Sequence, residues 1–417
     1  MIVLSPSRPE GTIEVPASKS QTIRALLIAA FARGKSIIRH PLISSDTMSC
    51  VNAVRALGAS VTFSEDNSIA YVDSSGMNPD KPITIDTGNS GTTTYLLLPM
   101  AASLGIPVTI TGDEQLVKRP VGPLKEALES LGATITDNNG FPPVTIRGPL
   151  RGGNASIECR TSQYLSGLLL ASPLSNGDTV IDCPLLYEKP YVSLTLGWMD
   201  RQDIDYSISS DYMHSEVKGN QIYKPFDEYI NGDFSSASFF FAMAAMAGTE
   251  ITVKGLDRND PQGDKAILGI LEKMGCTITW NGNAVTVKGG KLRGGEFDLN
   301  PIPDTLPILA VTAAAAEGAT ILGNVPQARI KETDRITSMR ENLEALGVEA
   351  EETEDSLIIH GKGRIPGGNG KGFGDHRIIM ALAAASAGSK NDITIDDEKA
   401  AAVTFPSFFT LFDSIRK

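Results

Sequence analysis

Four stretches of the chain repeat one arrangement of hydrophobic and polar positions. VRALGASVTF, LESLGATITD, LEKMGCTITW and LEALGVEAEE each read as an amphipathic helix that ends at glycine and runs straight into a strand-like alternation. Glycine suits that junction because it enters the left-handed turn closing a helix without a Cβ clash. The four glycines, Gly58, Gly132, Gly275 and Gly347, lie 74, 143 and 72 residues apart. The middle gap spans two periods, and LTLGWMDRQDIDYSI fills it with Asp203 in the glycine's place, 71 and 72 residues from its neighbours. A sixth, truncated unit ends in the helix FPSFFTLFDSIRK. A period near 72 residues exceeds the roughly 20 to 50 of solenoid repeats, so each unit reads as a small α/β module. Six modules over two domains give three modules per domain.

Length agrees with that division, since 417 residues exceed one ordinary core and imply two domains near 200 residues each. Hydrophobic residues make up 41% and charged residues 21%, a globular composition, and no apolar run reaches the roughly 18 residues of a membrane span. The N-terminal MIVLSPSRPEGTIEVPASKS lacks the basic and apolar regions of a secretory signal, so a soluble cytoplasmic protein is expected, with a monomer as the default. Cys50, Cys159, Cys183 and Cys276 are scattered without CxxC pairs, which predicts reduced, buried thiols and no metal site. A net charge of −12 argues against a nucleic-acid binder, whose surface must replace phosphate counterions. It leaves room for a basic pocket that draws small anions.

The chemistry-bearing residues gather where loops enter helices. PASKSQTIRALLIAAFA places Lys19, Ser20 and Arg24 there, with Ser20 and Arg24 four apart on one helical face, fit to grip one anion. DTGNSGTTTYLLLPMAAS turns through Gly88, Asn89, Ser90 and Gly91 into a capped helix whose free N–H groups suit an anion, though it matches neither nucleotide-binding glycine motif. LVKRPVGP carries Arg119, CRTSQYLSGLLLAS carries Thr161, Ser162 and Gln163, and LYEKPYVSLTL carries Lys189 and Tyr191. RIKETDRITSMRENLEALG crowds Lys331, Glu332, Asp334 and Arg335 into an expected first helical turn, where two cations oppose the helix dipole unless an anion is bound. GGNGKGFGDHRIIMALAAASAG brings Asp375, His376 and Arg377 to another helix start. The four histidines form no Ser/His/Asp or HExxH arrangement, which disfavours hydrolase chemistry. Cations and hydroxyls recurring at one topological place in successive modules predict a phosphate- and carboxylate-binding cavity.

PASKSQTIRALL, GNSGTT, KRPVGPL, TSQYLSGLL, EKPYVSLTL, GDFSSASFF, RIKETDRI, GDHRIIMAL and TFPSFF resemble, in order and over essentially the whole chain, the 5-enolpyruvylshikimate-3-phosphate synthases of the enolpyruvyl transferase family. The resemblance implies an inside-out α/β fold of two globules, each built from three βαβαββ units. Residues 1–17 with 231–417 would form one and residues 18–230 the other. It implies transfer of the enolpyruvyl group of phosphoenolpyruvate to the 5-hydroxyl of shikimate 3-phosphate by addition and elimination, with no cofactor, which joins the expectation from charge, cysteine spacing and apolar runs of no nucleic acid, metal or membrane. Lys19, Asp304 and Glu332 would handle protons. Lys19, Gly91, Arg119, Gln163, Arg335 and Arg377 would hold phosphoenolpyruvate, a task suited to guanidinium forks. Ser20, Arg24, Thr161, Ser162, Gln163, Tyr191, Gln327 and Lys331 would hold shikimate 3-phosphate.

Several positions depart from the pattern common in that family. Tyr95 stands for arginine, Ile23 for asparagine, Glu188 for serine, Gln327 for asparagine, and Val403 for a lysine, with Lys399 four residues earlier as the candidate substitute. Two alternatives stay open: the related transferase acting on UDP-N-acetylglucosamine, and a non-catalytic anion-binding relative. The first usually carries a reactive cysteine in the loop matching LVKRPVGP, which has none here. The second gives no reason to keep the acids Asp304 and Glu332 among cations.

Overall fold

In the computed structural model, which describes residues 1–416, the chain separates into two compact units, Ala17–Ile230 and Met1–Pro16 together with the chain from Asn231 onward. Each unit carries three small sheets.

In the Ala17–Ile230 unit, helices α1 (Lys19–Phe31) and α2 (Ser45–Ala56) accompany a sheet ordered Asp227–Tyr229, Lys35–Arg39, Ile69–Asp73, Ser60–Phe63. Helices α3 (Gly91–Ala101) and α4 (Gly122–Ser130) accompany Ile83–Asp86, Val108–Thr111, Phe141–Arg147 and Thr134–Asn138. Helices α5 (Ser162–Ala171) and α6 (Lys189–Arg201) accompany Gly153–Cys159, Thr179–Leu186, His214–Val217 and Tyr206–Ile208. In all three sheets the first two strands run parallel and the remaining pairs antiparallel. A parallel pair needs a crossover, which α3 and α5 supply in the second and third sheets, whereas in the first sheet Asp227–Tyr229 returns from the far end of the unit to lie beside Lys35–Arg39; the last antiparallel pair of each sheet closes through a short hairpin.

The second unit repeats the plan. Helices α7 (Phe234–Ala247) and α8 (Ile267–Lys273) go with a sheet ordered Thr277–Asn281, Ala284–Lys288, Glu250–Lys254, Gly11–Glu14. Helices α9 (Leu306–Ala314) and α10 (Arg335–Ala345) go with Glu296–Asp298, Glu317–Gly323, Leu357–Lys362 and Glu349–Glu352. The last module has α11 (His376–Ala385), α12 (Phe408–Ile415) and three strands, Gly368–Gly370, Ile393–Ile395 and the N-terminal Ile2–Leu4.

The first helix of each module is its most buried part. Every residue of α3, α9 and α11 is buried, as are eleven of thirteen in α1 and twelve of fourteen in α7. Beyond the polar residues near their N-termini such helices are apolar on every side, so burial all round is what stabilises them. In one unit α3 packs on α1 and α5, and in the other α7, α9 and α11 pack on one another, so helices occupy the interior and sheets the outside. The repeat junctions behave as their composition demands. Gly58, Gly132, Gly275 and Gly347 have φ of +101°, +98°, +114° and +78°, and Asp203 enters the same half of conformational space at +54°. All four cysteines are free and buried, and among the described residues no helix is long and apolar enough to cross a membrane.

Candidate active site

Within the Ala17–Ile230 unit, Ser18 caps α1, accepting a hydrogen bond from the Gln21 N–H, and so fixes Lys19 in the first turn. Lys19 Nζ lies 2.9 Å from Asp46 Oδ2, a carboxylate in the first turn of α2. One turn along α1, Arg24 is 1% exposed. Its donors reach the Ser20 carbonyl at 3.0 Å, Thr195 Oγ1 at 2.9 Å, Ser166 Oγ at 3.5 Å and the Tyr191 carbonyl at 3.2 Å. All four acceptors are neutral oxygens, and burial lowers the Arg24 pKa to about 10. The Ser20 carbonyl thus helps to hold the guanidinium one turn along the same helix face.

Gly91 opens α3, and a Cβ there would stand 2.6 Å from Arg119 Nη1. The glycine therefore lets the guanidinium approach the helix N-terminus, where Nη2 also donates to Asn89 Oδ1 at 2.6 Å. Tyr95, on the same helix, is buried and donates to the Pro120 carbonyl at 3.1 Å. Tyr164 donates to that carbonyl at 2.7 Å and packs edge-on against Tyr95, with ring centroids 5.2 Å apart. The tyrosine that stands for a common arginine is thus a clamp on the loop carrying Arg119, and burial raises its own pKa to about 12. At the start of α5, Thr161 Oγ1, Ser162 N–H and Ser162 Oγ all donate to Glu188 Oε2, and Gln163 keeps a buried Oε1 with no hydrogen-bond partner among the described residues.

In the other unit, Arg335 is 1% exposed and opens α10. Its guanidinium donates to Asp375 Oδ2 at 2.8 Å, Asp304 Oδ1 at 2.8 Å and Glu332 Oε2 at 2.6 Å. Arg377 Nη2 donates to Asp304 Oδ2 at 2.8 Å and to Ser235 Oγ at 3.3 Å, and Lys331 Nζ lies 3.9 Å from Asp304 Oδ1. Three cations and three carboxylates therefore share one partly buried cluster. Burial opposes ionisation of Asp304, but Arg377, Lys331 and Arg335 outweigh it and hold its pKa well below the carboxylate range. Burial likewise works against the Arg335 charge and loses to Asp375, Glu332 and Asp304, so its pKa is raised.

The cluster corrects one detail of the sequence reading. Lys331 and Glu332 lie ahead of α10, in the turn after a short 3-10 segment, and only Arg335 is in the helix. Asp334 is its N-cap, accepting from the Thr337 N–H at 3.1 Å, so the cations do not face an uncompensated dipole. Gln327 stands outside the ion-pair network, its Nε2 donating to the Asn300 carbonyl at 3.0 Å. Lys399 is exposed, and its backbone N–H donates to Asp397.

Asp46 and Ser235 join these constellations without any sequence signal, and Asn89 and Asp375, marked by sequence only as parts of loops entering helices, join them as well. Asp375 shows a signal only as the N-cap of α11, accepting from the Arg377 N–H at 2.8 Å. Its pairing with Arg335, 40 positions earlier, has no local signature.

Residues 3–412 match the family model for EPSP synthase (3-phosphoshikimate 1-carboxyvinyltransferase). A 3-phosphoshikimate 1-carboxyvinyltransferase of Acetivibrio thermocellus is 46% identical over 406 residues, covering 96% of this chain and 95% of the relative. One of Ruminiclostridium cellulolyticum is 45% identical over 401 residues, 95% and 94% of the two chains. The solved EPSP synthase of Acinetobacter baumannii superposes with a TM-score of 0.83 at 28% identity, covering 99% of this chain and 98% of that one. The enolpyruvyl transferase NikO of Streptomyces tendae shares the fold, with a TM-score of 0.82 at 17% identity over 100% and 97% of the two chains. With six modules of helix-in, sheet-out architecture and a full-length match at this identity, the chain belongs to the EPSP synthase family.

Proposed function

We propose that this enzyme condenses shikimate 3-phosphate with phosphoenolpyruvate, giving 5-enolpyruvylshikimate 3-phosphate and inorganic phosphate. The 5-hydroxyl oxygen bonds to C2 of phosphoenolpyruvate as C3 takes a proton. The tetrahedral adduct then loses phosphate and a proton from the new methyl group, so proton donor and acceptor must exchange roles between the two steps.

The observation that carries the reading is Asp304 and Glu332 held among Arg335, Arg377 and Lys331 in one cluster. A protein that only bound anions would gain nothing from carboxylates there. The acids also link binding to chemistry. Asp304 is a weak base while two guanidiniums grip it; anionic groups of phosphoenolpyruvate that draw off Arg335 and Arg377 raise its proton affinity. In this reading Arg119 beside Gly91, with Gln163, Arg335 and Arg377, holds phosphoenolpyruvate. Ser20, Arg24, Thr161, Ser162, Gln163, Tyr191, Gln327 and Lys331 serve shikimate 3-phosphate. Lys19 and Glu332 share the proton steps with Asp304. Arg24 suits the task because its charge is solvated only by neutral oxygens, leaving a net attraction for an anion.

The test is phosphate release on mixing the protein with shikimate 3-phosphate and phosphoenolpyruvate. Release that needs both substrates is expected. No release over a range of pH and ionic strength, with UDP-N-acetylglucosamine accepted instead, would sink the reading.

A further inference from the structure

Glu188 is a carboxylate placed where the proposed reaction has to bind an anion. It is 2% exposed, precedes α6 and has φ of +60°. Its Oε2 accepts from Ser162 Oγ at 2.9 Å, Ser162 N–H at 3.2 Å and Thr161 Oγ1 at 3.3 Å. These donors converge at the N-terminus of the ten-residue helix α5, an arrangement that stabilises negative charge through aligned N–H groups and the helix dipole. The seat is therefore built for an anionic oxygen, and Glu188 supplies one from within the chain.

We infer that Glu188 is a resident competitor for the acceptor's phosphate and so sets the specificity of this site. The inference rests on the proposed function, in which Thr161 and Ser162 belong to the shikimate 3-phosphate side. A phosphate and a carboxylate cannot share three donors converging on one oxygen, because each needs the same hydrogens and like charges repel at that distance. The phosphorylated acceptor binds as Glu188 withdraws, and part of its affinity is lost to that displacement. A serine, the residue common here in the resembling family, has neither the reach nor the charge to occupy the seat. Glu188 thus narrows the preference for a phosphorylated acceptor over its dephosphorylated counterpart, since only the former must evict a carboxylate.

Two measurements decide this. Glu188→Gln keeps the size and removes the charge. It is expected to lower the KM for shikimate 3-phosphate about tenfold, with the KM for phosphoenolpyruvate unmoved and the preference over shikimate widened. An unchanged or raised KM in this variant and in Glu188→Ser overturns the inference. Glu188→Ser, checked for a native melting transition, provides the second variant should the amide re-form the same hydrogen bonds. By calorimetry with inorganic phosphate alone, Glu188→Gln is expected to bind more tightly than the parent, and the gain is expected to vanish when Ser162→Ala is added. A gain that survives Ser162→Ala, or no gain, also overturns it. If the parent protein turns over no shikimate 3-phosphate, the proposed function fails, while the phosphate titration still decides whether Glu188 blocks this seat.

Discussion

Asp304 touches Arg335 and Arg377 and has Lys331 within 4 Å, so its charge state governs the whole acidic and basic cluster. Its pKa is depressed in the folded protein, which makes the ionised form a source of stability above the unfolded carboxylate value of about 3.9. That stability is lost as pH falls through the lower folded value. Denaturant unfolding at a series of pH values should show stability falling from about pH 4 downward. Asp304→Asn should be less stable at pH 7 and show a shallower acid slope. An identical slope in the variant would mean that other carboxylates dominate. The same residue explains why sequence could name the acids without assigning their behaviour. The pKa depends on Arg377, 73 positions away, and on burial, neither of which leaves a mark in the neighbouring letters.

Helix starts are the elements that place the chemistry, and α3 shows how closely they are fitted. Gly91 is needed for room, since the atom a methyl group would meet is the tip of Arg119. That tip is flexible, so Gly91→Ala should leave the fold intact, with stability changed by no more than about 1 kcal/mol given alanine's better helix propensity. The guanidinium should move instead, raising the KM for phosphoenolpyruvate several-fold. Thermal melting and steady-state kinetics together check this; a large loss of stability with unchanged KM would contradict it. Tyr95 works at the same level, since it and Tyr164 fix the Pro120 carbonyl beside Arg119. Its clamp role could not be read from the sequence, where it registers only as a departure at a position common to arginine.

The N-terminal segment is what joins the ends of the molecule's plan. Gly11–Glu14 pairs in parallel with Glu250–Lys254, and Ile2–Leu4 pairs antiparallel with Ile393–Ile395. Deleting residues 1–16 removes an edge strand from each of two sheets and exposes unpaired backbone. A fragment beginning at Asn231 should therefore lack a cooperative unfolding transition, whereas the same fragment with residues 1–16 linked to it should regain one. Circular dichroism melts distinguish the two, and a cooperative melt of the bare fragment would show the strands to be dispensable.

The repeat, the number of modules, the glycine junctions and the gathering of cations and hydroxyls at helix starts were determined by the sequence alone. Each follows from local rules: periodicity sets the buried face, a left-handed turn demands glycine or a tolerant Asp203, and a capped helix start attracts anions. Tertiary structure decided the pairings. Lys19 with Asp46, Arg335 with Asp375, and Glu188 over Thr161 and Ser162 join residues 26 to 40 positions apart. Their contact depends on how buried helices pack within a module and between modules. Ionic partners at such separations are selected by packing geometry and desolvation, which act only once the core has formed.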